Sequence, residues 1–153
     1  MDGEWKGYYE DGKPKSDNFY TDNLKNGSTE TWYPNGKKAF QGEYKMGLKQ
    51  GHWMEWNEYG ILEEDCNYKE GRMDGKCLFY DKKGLLVRQQ QYLQGRPNGA
   101  FISYYNNQGK EVEGAFKMGA KDGKWTFYNE KGQVVKTIEF DNGQIKSQSE
   151  LKK

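Results

Sequence analysis

The chain has few of the residues from which most globular cores are built. Only 33% of its 153 residues are hydrophobic, and it contains three prolines, two cysteines and one histidine. A chain so poor in aliphatic residues approaches the composition of disordered proteins. A net charge of +1 and an aromatic content of 16% oppose disorder, because self-repulsion is small and large rings can hold a sheet together. We therefore predict a folded, all-β chain that is stabilised by aromatic side chains.

The charge balance and the lack of long apolar runs exclude several kinds of function. A dedicated nucleic-acid binder usually carries a strong basic excess, and a membrane-spanning helix needs ~20 consecutive apolar residues. The chain has neither, so we predict no nucleic-acid partner. Its first three residues lead straight into the repeats without a signal peptide. Two locations stay open, the cytoplasm or export after removal of a signal peptide.

A 24-residue repeat organises the chain. A glycine, called here the opening glycine and numbered position zero, recurs at Gly3, Gly27, Gly51, Gly75, Gly99 and Gly123. Position five is always aromatic, at Tyr8, Trp32, Trp56, Tyr80, Tyr104 and Tyr128. Position seventeen is aromatic as well, at Tyr20, Tyr44, Tyr68, Tyr92, Phe116 and Phe140. A fixed period of this kind indicates a repeat array, and we predict a single one. Its copies are 3–26, 27–50, 51–74, 75–98, 99–122 and 123–146, followed by a polar tail at 147–153.

Each copy predicts a hairpin of two short strands. A second glycine, such as Gly36, permits the positive φ that a tight turn needs. The chain is then predicted to turn again through a third glycine, such as Gly47, and the Asn-Gly or Asp-Gly pair at the copy boundary, such as Asp74-Gly75. The predicted fold is an elongated, single-layer, twisted antiparallel sheet of about six tandem hairpins, or about twelve strands. The fifth copy differs because its second glycine, Gly109, stands one residue late. There we predict a longer turn and a shortened or bulged return strand.

The frame resembles the MORN repeat, and more closely its variant form, which is common in bacterial proteins. Residues 51–56 with 68–71, and 123–128 with 140–143, carry the likeness, which extends over all six copies. The resemblance implies a non-enzymatic repeat scaffold that binds partner proteins, with no catalytic motif and no cofactor. Repeats of this type have also been linked to phospholipid contact. Bacterial chains built wholly of the variant are often labelled antitoxin-like or immunity-like, and the resemblance implies such a role here.

We predict that aromatic side chains of the middle and last copies contact a protein partner. The candidates are Trp53, Trp56, Tyr80, Tyr104, Trp125 and Tyr128. Two alternatives stay open: tryptophan rings can stack on the sugars of a cell-surface glycan, and lysines near the second glycines can meet an anionic lipid. Open sheet edges leave both a monomer and an edge-to-edge oligomer open.

Three features of the third copy and its neighbour suggest chemistry only weakly. His52 has no second histidine or spaced ligand set with which to hold a metal or act as a base. The acids at 63–65 alternate faces on a strand, so they cannot close together on one cation. We predict that Cys66 and Cys77, on neighbouring strands, are small apolar fillers that stay reduced, and a cross-strand disulfide is the geometric alternative. We predict no metal site and no catalytic residue.

Overall fold

The computed structural model describes residues 2 to 150, and this part of the chain consists of β-strands, turns and short connections. It contains no helix, and hence none long and apolar enough to cross a membrane. Thirteen strands follow one another: β1 (Gly3–Tyr8), β2 (Pro14–Thr21), β3 (Leu24–Trp32), β4 (Lys38–Lys45), β5 (Leu48–Trp56), β6 (Leu62–Lys69), β7 (Arg72–Tyr80), β8 (Leu86–Leu93), β9 (Arg96–Tyr104), β10 (Lys110–Lys117), β11 (Ala120–Tyr128), β12 (Val134–Asp141) and β13 (Gln144–Glu150).

The strands form an antiparallel sheet whose strand order is the order of the chain. The prediction of an all-β sheet of tandem antiparallel hairpins is therefore confirmed. The described residues fall into two compact units: 2–73 with 82–84 form unit 1, and 74–81 with 85–150 form unit 2. The predicted polar tail, 147–153, lies partly inside the described residues. Residues 147–150 belong to β13, which pairs with β12, and only the last three residues of the predicted tail lie outside the described part.

The turn at each copy boundary is shorter than predicted. It consists of a two-residue turn such as Met46-Gly47, where both residues have positive φ, 51° and 79°. Such turns match the twist of the strands that they join. The Asn-Gly and Asp-Gly pairs do not take part in the turn, so that prediction is wrong. Asn26-Gly27 lies inside β3, where residues 26–28 bulge opposite the single residue Phe19 of β2.

The residue before each opening glycine, an asparagine or aspartate in every copy except for Gln50, instead stabilises the following turn. Its side-chain oxygen accepts a hydrogen bond from the backbone N–H of the first turn residue, twenty residues further along the chain. Asn26 accepts in this way from Met46 at 3.3 Å, and Asn98 accepts from Met118 at 3.0 Å. The pair that resembles a turn signal thus serves two other purposes: its polar side chain caps a turn, and its glycine adopts the positive φ of a bulge.

The fifth copy has the same turn as the others, and the predicted longer turn is wrong. Gln108 stands where the other copies have the second glycine, and it adopts a φ of 64°. Its N–H donates to the Tyr105 carbonyl, just as the Gly36 N–H donates to the Tyr33 carbonyl. The return strand β10 has eight residues, as β8 and β12 do. The displaced Gly109 carries no positive φ and simply precedes that strand.

We expect Gln108→Gly to raise the free energy of unfolding by about 0.5–1 kcal/mol. A left-handed backbone costs a glutamine about 1–2 kcal/mol, and glycine removes this cost. The flexibility of glycine in the unfolded chain offsets part of the gain. Urea denaturation measures the change. The reverse exchange, Gly36→Gln, is the matched control: its φ is 82° and a Cβ there meets nothing within 4 Å, so it should lose a similar amount. A Gln108→Gly protein no more stable than the parent would contradict this explanation.

The core lies on one side of the sheet in each unit, called here the tryptophan face. In unit 1, Trp53 is 1% exposed, and its ring centroid lies 5.8 Å from that of Phe40, 5.0 Å from Tyr44 and 6.2 Å from Tyr68. Its indole N–H donates to the Glu43 carbonyl at 3.1 Å, so the one polar atom of the ring is satisfied. Edge-to-face and tilted ring pairs of this kind replace the missing aliphatic core.

The same cluster recurs 72 residues later in unit 2. Trp125 is 2% exposed and lies 5.2 Å from Phe101, 5.1 Å from Phe116 and 6.1 Å from Phe140. Its N–H donates to the Ala115 carbonyl at 3.1 Å. Repetition of one packing arrangement in two places follows from the repeat, because the same positions of different copies meet in the same way.

Each buried tryptophan lies against a glycine of the preceding strand. A Cβ placed on Gly42 would lie 2.4 Å from the Trp53 ring, and one on Gly114 would lie 2.4 Å from the Trp125 ring. Neither glycine has a positive φ, so the requirement for glycine is one of space and not of backbone conformation. Asn18 occupies the repeat position of Gly42, and it faces Thr29 where Gly42 faces Trp53. The larger Asn18 side chain fills the space that the smaller Thr29 leaves, and it accepts a hydrogen bond from Thr29 at 2.8 Å.

Candidate functional site

The six aromatic residues that we predict as partner contacts lie on two different sides of the sheet. Trp53 and Trp125 belong to the tryptophan face, and their near-complete burial excludes them from any surface that a partner can touch. This corrects the prediction for these two residues. Their large rings are needed inside, because the chain has few aliphatic side chains with which to form a core.

The other four candidates stand at position five and are half-buried. Because side chains alternate along a strand, position five lies on the side opposite to position two. We call this side of unit 2 the tyrosine face; it carries Tyr80, Tyr104 and Tyr128 on β7, β9 and β11. Trp56 occupies the corresponding side of unit 1.

Aliphatic residues accompany the rings on the tyrosine face. Leu78 and Ile102, at position three, both pair with Gln89 of the strand between them and are half-buried. Strands are ~4.8 Å apart, so every second strand places a ring or an aliphatic side chain at intervals of ~10 Å. The prediction did not include Leu78 and Ile102, although the alternation of faces places both on the same side as the position-five rings.

A polar cluster borders the tyrosine face at Tyr128. Its hydroxyl donates to one carboxylate oxygen of Glu113, and the Lys110 ammonium donates to the other at 2.6 Å. The hydrogen bond from Lys110, followed by that from Tyr128, lowers the pKa of the Glu113 carboxyl below its ordinary value. The same bond to Glu113, with some burial, raises the pKa of the Tyr128 hydroxyl. The cluster holds the Tyr128 ring in one orientation, because its hydroxyl and the carboxylate restrain each other.

The corresponding side of unit 1 is charged. Position three of unit 1 holds Lys6, Glu30 and Met54, of which only Met54 is apolar. Position three of unit 2 holds Leu78, Ile102 and Thr126, of which the first two are aliphatic. Near Trp56, the Lys38 ammonium lies 6.0 Å from the ring centroid and 2.8 Å from a Glu30 carboxylate oxygen. The two units thus present different chemistry at equivalent repeat positions, and the apolar one is the tyrosine face.

His52 and the acidic run do not assemble a site. The His52 ring is hydrogen-bonded to Asp65 and borders an open groove of about 340 Å³ in unit 1. Glu63 accepts from Asn57, and Glu64 accepts from the Tyr68 hydroxyl. The three acids therefore have separate partners. Within residues 2–150, no group of three or more histidine, cysteine or acidic side chains could hold a metal ion.

The cysteines are buried, and several lysines are paired with carboxylates. Cys66 and Cys77 are both fully buried and both are disulfide-bonded, so the prediction that they stay reduced is wrong. Of the lysines near the second glycines, Lys13 pairs with Asp11 at 2.6 Å, as Lys38 and Lys110 pair with glutamates. Ammonium groups that already have carboxylate partners are less available to an anionic surface.

Comparison with known proteins agrees with the repeat frame. The MORN repeat variant family matches the chain at residues 1–22, 25–46 and 121–142. These segments are spaced by whole multiples of 24 residues, and the first two coincide with the hairpins β1–β2 and β3–β4. No curated protein matches the chain in sequence. MORN repeats are generally binding modules without catalytic machinery. Three segments of the chain accordingly match the repeat of the MORN variant family.

Proposed function

We propose that this chain is a non-catalytic scaffold that binds a partner protein through the tyrosine face of unit 2. The observation that carries the proposal is the alternation of half-exposed rings with aliphatic side chains on that side of the sheet. Interfaces between proteins commonly combine such anchors with a polar rim, and tyrosine is enriched among the residues that contribute most to binding. The Lys110–Glu113 pair provides part of such a rim.

The rigidity of the anchors supports the same proposal. The Tyr128 hydroxyl donates to the Glu113 carboxylate, which is held in turn by the Lys110 ammonium. Side chains already fixed in one rotamer lose little conformational entropy on binding, which leaves more of the contact energy for affinity. An antitoxin or immunity role is the more specific form of the proposal, in which the partner is a bacterial toxin that binding blocks.

We expect Ile102→Glu to weaken partner binding by about 30-fold or more, because a charge would be buried among the anchors. Pull-down from the native cell followed by mass spectrometry identifies the partner, and calorimetry with the purified partner measures affinity. Met54→Glu is the matched control, since it makes the same change at the same repeat position of unit 1. Circular dichroism and a thermal melt verify that both variants keep the fold. Unchanged affinity in Ile102→Glu would refute the proposal.

The same variant separates the proposal from its alternatives, a cell-surface glycan or an anionic lipid. The parent protein is passed over cell-wall polysaccharide and incubated with vesicles rich in acidic phospholipid. A lipid surface would hold the protein in a strongly salt-dependent way. Retention on either material that Ile102→Glu does not reduce, with no protein partner recovered, would assign the function to that ligand instead.

A further inference from the structure

The outer edge of β1 ends the sheet in unit 1. Every internal strand has a neighbour on each side, whereas β1 pairs with β2 alone within residues 2–150. Its outward backbone N–H and C=O groups therefore have no strand partner there. Such an edge is a template on which another extended chain can pair, and natural proteins usually blunt or cover it.

The edge of β1 already has the backbone shape that an incoming strand would require. In later copies the opening glycine has a positive φ and belongs to a bulge that faces the preceding strand. Gly27, for example, belongs to the bulge of β3 that faces β2. Gly3 has a φ of 89°, within the range of 69° to 123° shown by the other opening glycines. The bulge conformation is thus present in β1 without a strand opposite it.

The aromatic side chains of β1 are exposed, and within residues 2–150 no preceding strand lies beside them. Trp5 is 50% exposed, whereas Trp53 and Trp125 at the same repeat position are 1% and 2% exposed. The difference has a definite cause: Trp53 is covered by Gly42 and by the rings of Phe40 and Tyr44, all on the strand that precedes its own. Trp5 has no such strand to cover it.

The opposite end of the sheet is different. The last strand, β13, has Ser147 at the place of an opening glycine and Ser149 at the place of the tryptophan, and all of its residues are exposed and mostly polar. A polar outer strand is the usual cap of a repeat array, since it leaves no apolar surface uncovered. Within residues 2–150, the outer strand β13 is therefore polar, whereas the outer strand β1 exposes aromatic rings.

We propose that the outer edge of β1 binds an extended strand of a partner protein. The strand pairs antiparallel, as all neighbours in this sheet do, and places a glycine against the Trp5 ring. In the partner strand, large apolar residues stand two positions before and two positions after that glycine, so they lie on the same face of the strand as the glycine does. This pattern is the one that covers the buried tryptophans, with Phe40 and Tyr44 on either side of Gly42, and Val112 and Phe116 on either side of Gly114.

A second folded copy of the chain does not supply such a strand. The strands with this pattern, β4 and β10, pair on both sides within their own sheet. The occupant must therefore come from a chain in which the segment is free. This site is separate from the tyrosine face, and the proposal does not depend on the function assigned there.

The probe is a synthetic peptide with the sequence of β4, Lys38–Lys45, added to the intact protein. We expect NMR titration to show saturable shifts of the Trp5 indole and of the β1 amides, with hydrogen exchange at those amides slowed. A peptide with valine in place of the glycine should bind at least about tenfold more weakly, since its side chain would meet the ring. Trp5→Ala should reduce affinity similarly, and Ser149→Ala at the capped end should not.

Two further peptides test for strand pairing itself. One peptide carries N-methyl groups on its odd-numbered amides and the other on its even-numbered amides. Pairing at one edge uses only every second amide of the peptide, so only one of the two sets blocks it. One peptide should bind and the other should not. Equal binding by both, or no difference between the glycine and valine peptides, would overturn the proposal. So would a dimer of the protein alone that Trp5→Ala dissociates in sedimentation, because a second copy would then cover the edge.

Discussion

Trp125→Ala is expected to lower the free energy of unfolding by about 3–5 kcal/mol, the usual cost of truncating a large buried ring. The side chain is 2% exposed and its indole N–H is hydrogen-bonded, so the substitution leaves both a cavity and an unpaired Ala115 carbonyl. The three phenylalanine rings around Trp125 cannot fill the cavity, because each is fixed to its own strand. Urea denaturation followed by circular dichroism measures the change.

The first copy provides the control for this substitution. Trp5 occupies the same repeat position but is 50% exposed, so Trp5→Ala should cost less than about 1 kcal/mol. The comparison holds the residue type and the repeat position constant and changes only burial. Equal losses in the two variants would contradict the conclusion that the ring clusters, and not the tryptophans as such, stabilise the sheet.

Gly42→Ala is expected to destabilise the protein by about 1–3 kcal/mol, although alanine normally suits a strand better than glycine does. The cause is overlap, because the new methyl group would lie 2.4 Å from the Trp53 ring unless the ring moves. Gly109→Ala is the matched control. Gly109 also has no positive φ, and the nearest atom to its added methyl would be the side-chain oxygen of Asn107, at 3.0 Å. This substitution should have little effect.

A second substitution shows whether the Trp53 ring is responsible. In a Trp53→Thr background the indole ring no longer occupies the space above residue 42. At the equivalent pair in the preceding copies, Asn18 stands opposite Thr29 and fills that space with its side chain. We expect Gly42→Ala to cost about 1–2 kcal/mol less there than in the parent, which a double-mutant cycle measures as the coupling between the two positions. Additive effects would show that the glycine is required for some other reason.

The hairpin order could be predicted from the sequence because each signal for it is local. Gly36 and Gly47 favour turns through their own backbone freedom, and the aromatic residues of each copy favour strands between those turns. Antiparallel pairing of neighbouring strands then follows from the short connections. The family comparison agrees with this frame at three places in the chain.

The detailed path of the strands could not be predicted in the same way. Asn-Gly is a strong hairpin signal in isolation. Asn26-Gly27 nevertheless lies in a strand, because the two-residue turn at Asp22-Asn23 has already reversed the chain before it. In the fifth copy, Gln108 adopts the left-handed backbone that Gly36 adopts elsewhere, since the pairing on both sides of the turn outweighs the local preference.

For the candidate site, too, one part could be predicted from the sequence and another part could not. The sequence identified Tyr104 and Tyr128 as members of an aromatic row, and by alternation it placed that row opposite to Trp125. It did not show which side would pack and which would stay accessible, because both sides carry rings. The choice depends on Gly114, whose missing side chain lets the Trp125 ring lie flat on the neighbouring strand.

The sequence by itself determined the 24-residue period, the antiparallel hairpins and the absence of a conventional aliphatic core, since these depend on composition and on the spacing of glycines and rings. Only the tertiary structure decided which tryptophans form the core, where each strand bulges and which edge stays uncovered. Those features arise from contacts between strands of different copies. Trp53, which packs on a glycine of the preceding strand, is 1% exposed, whereas Trp5, beside which residues 2–150 place no preceding strand, is 50% exposed.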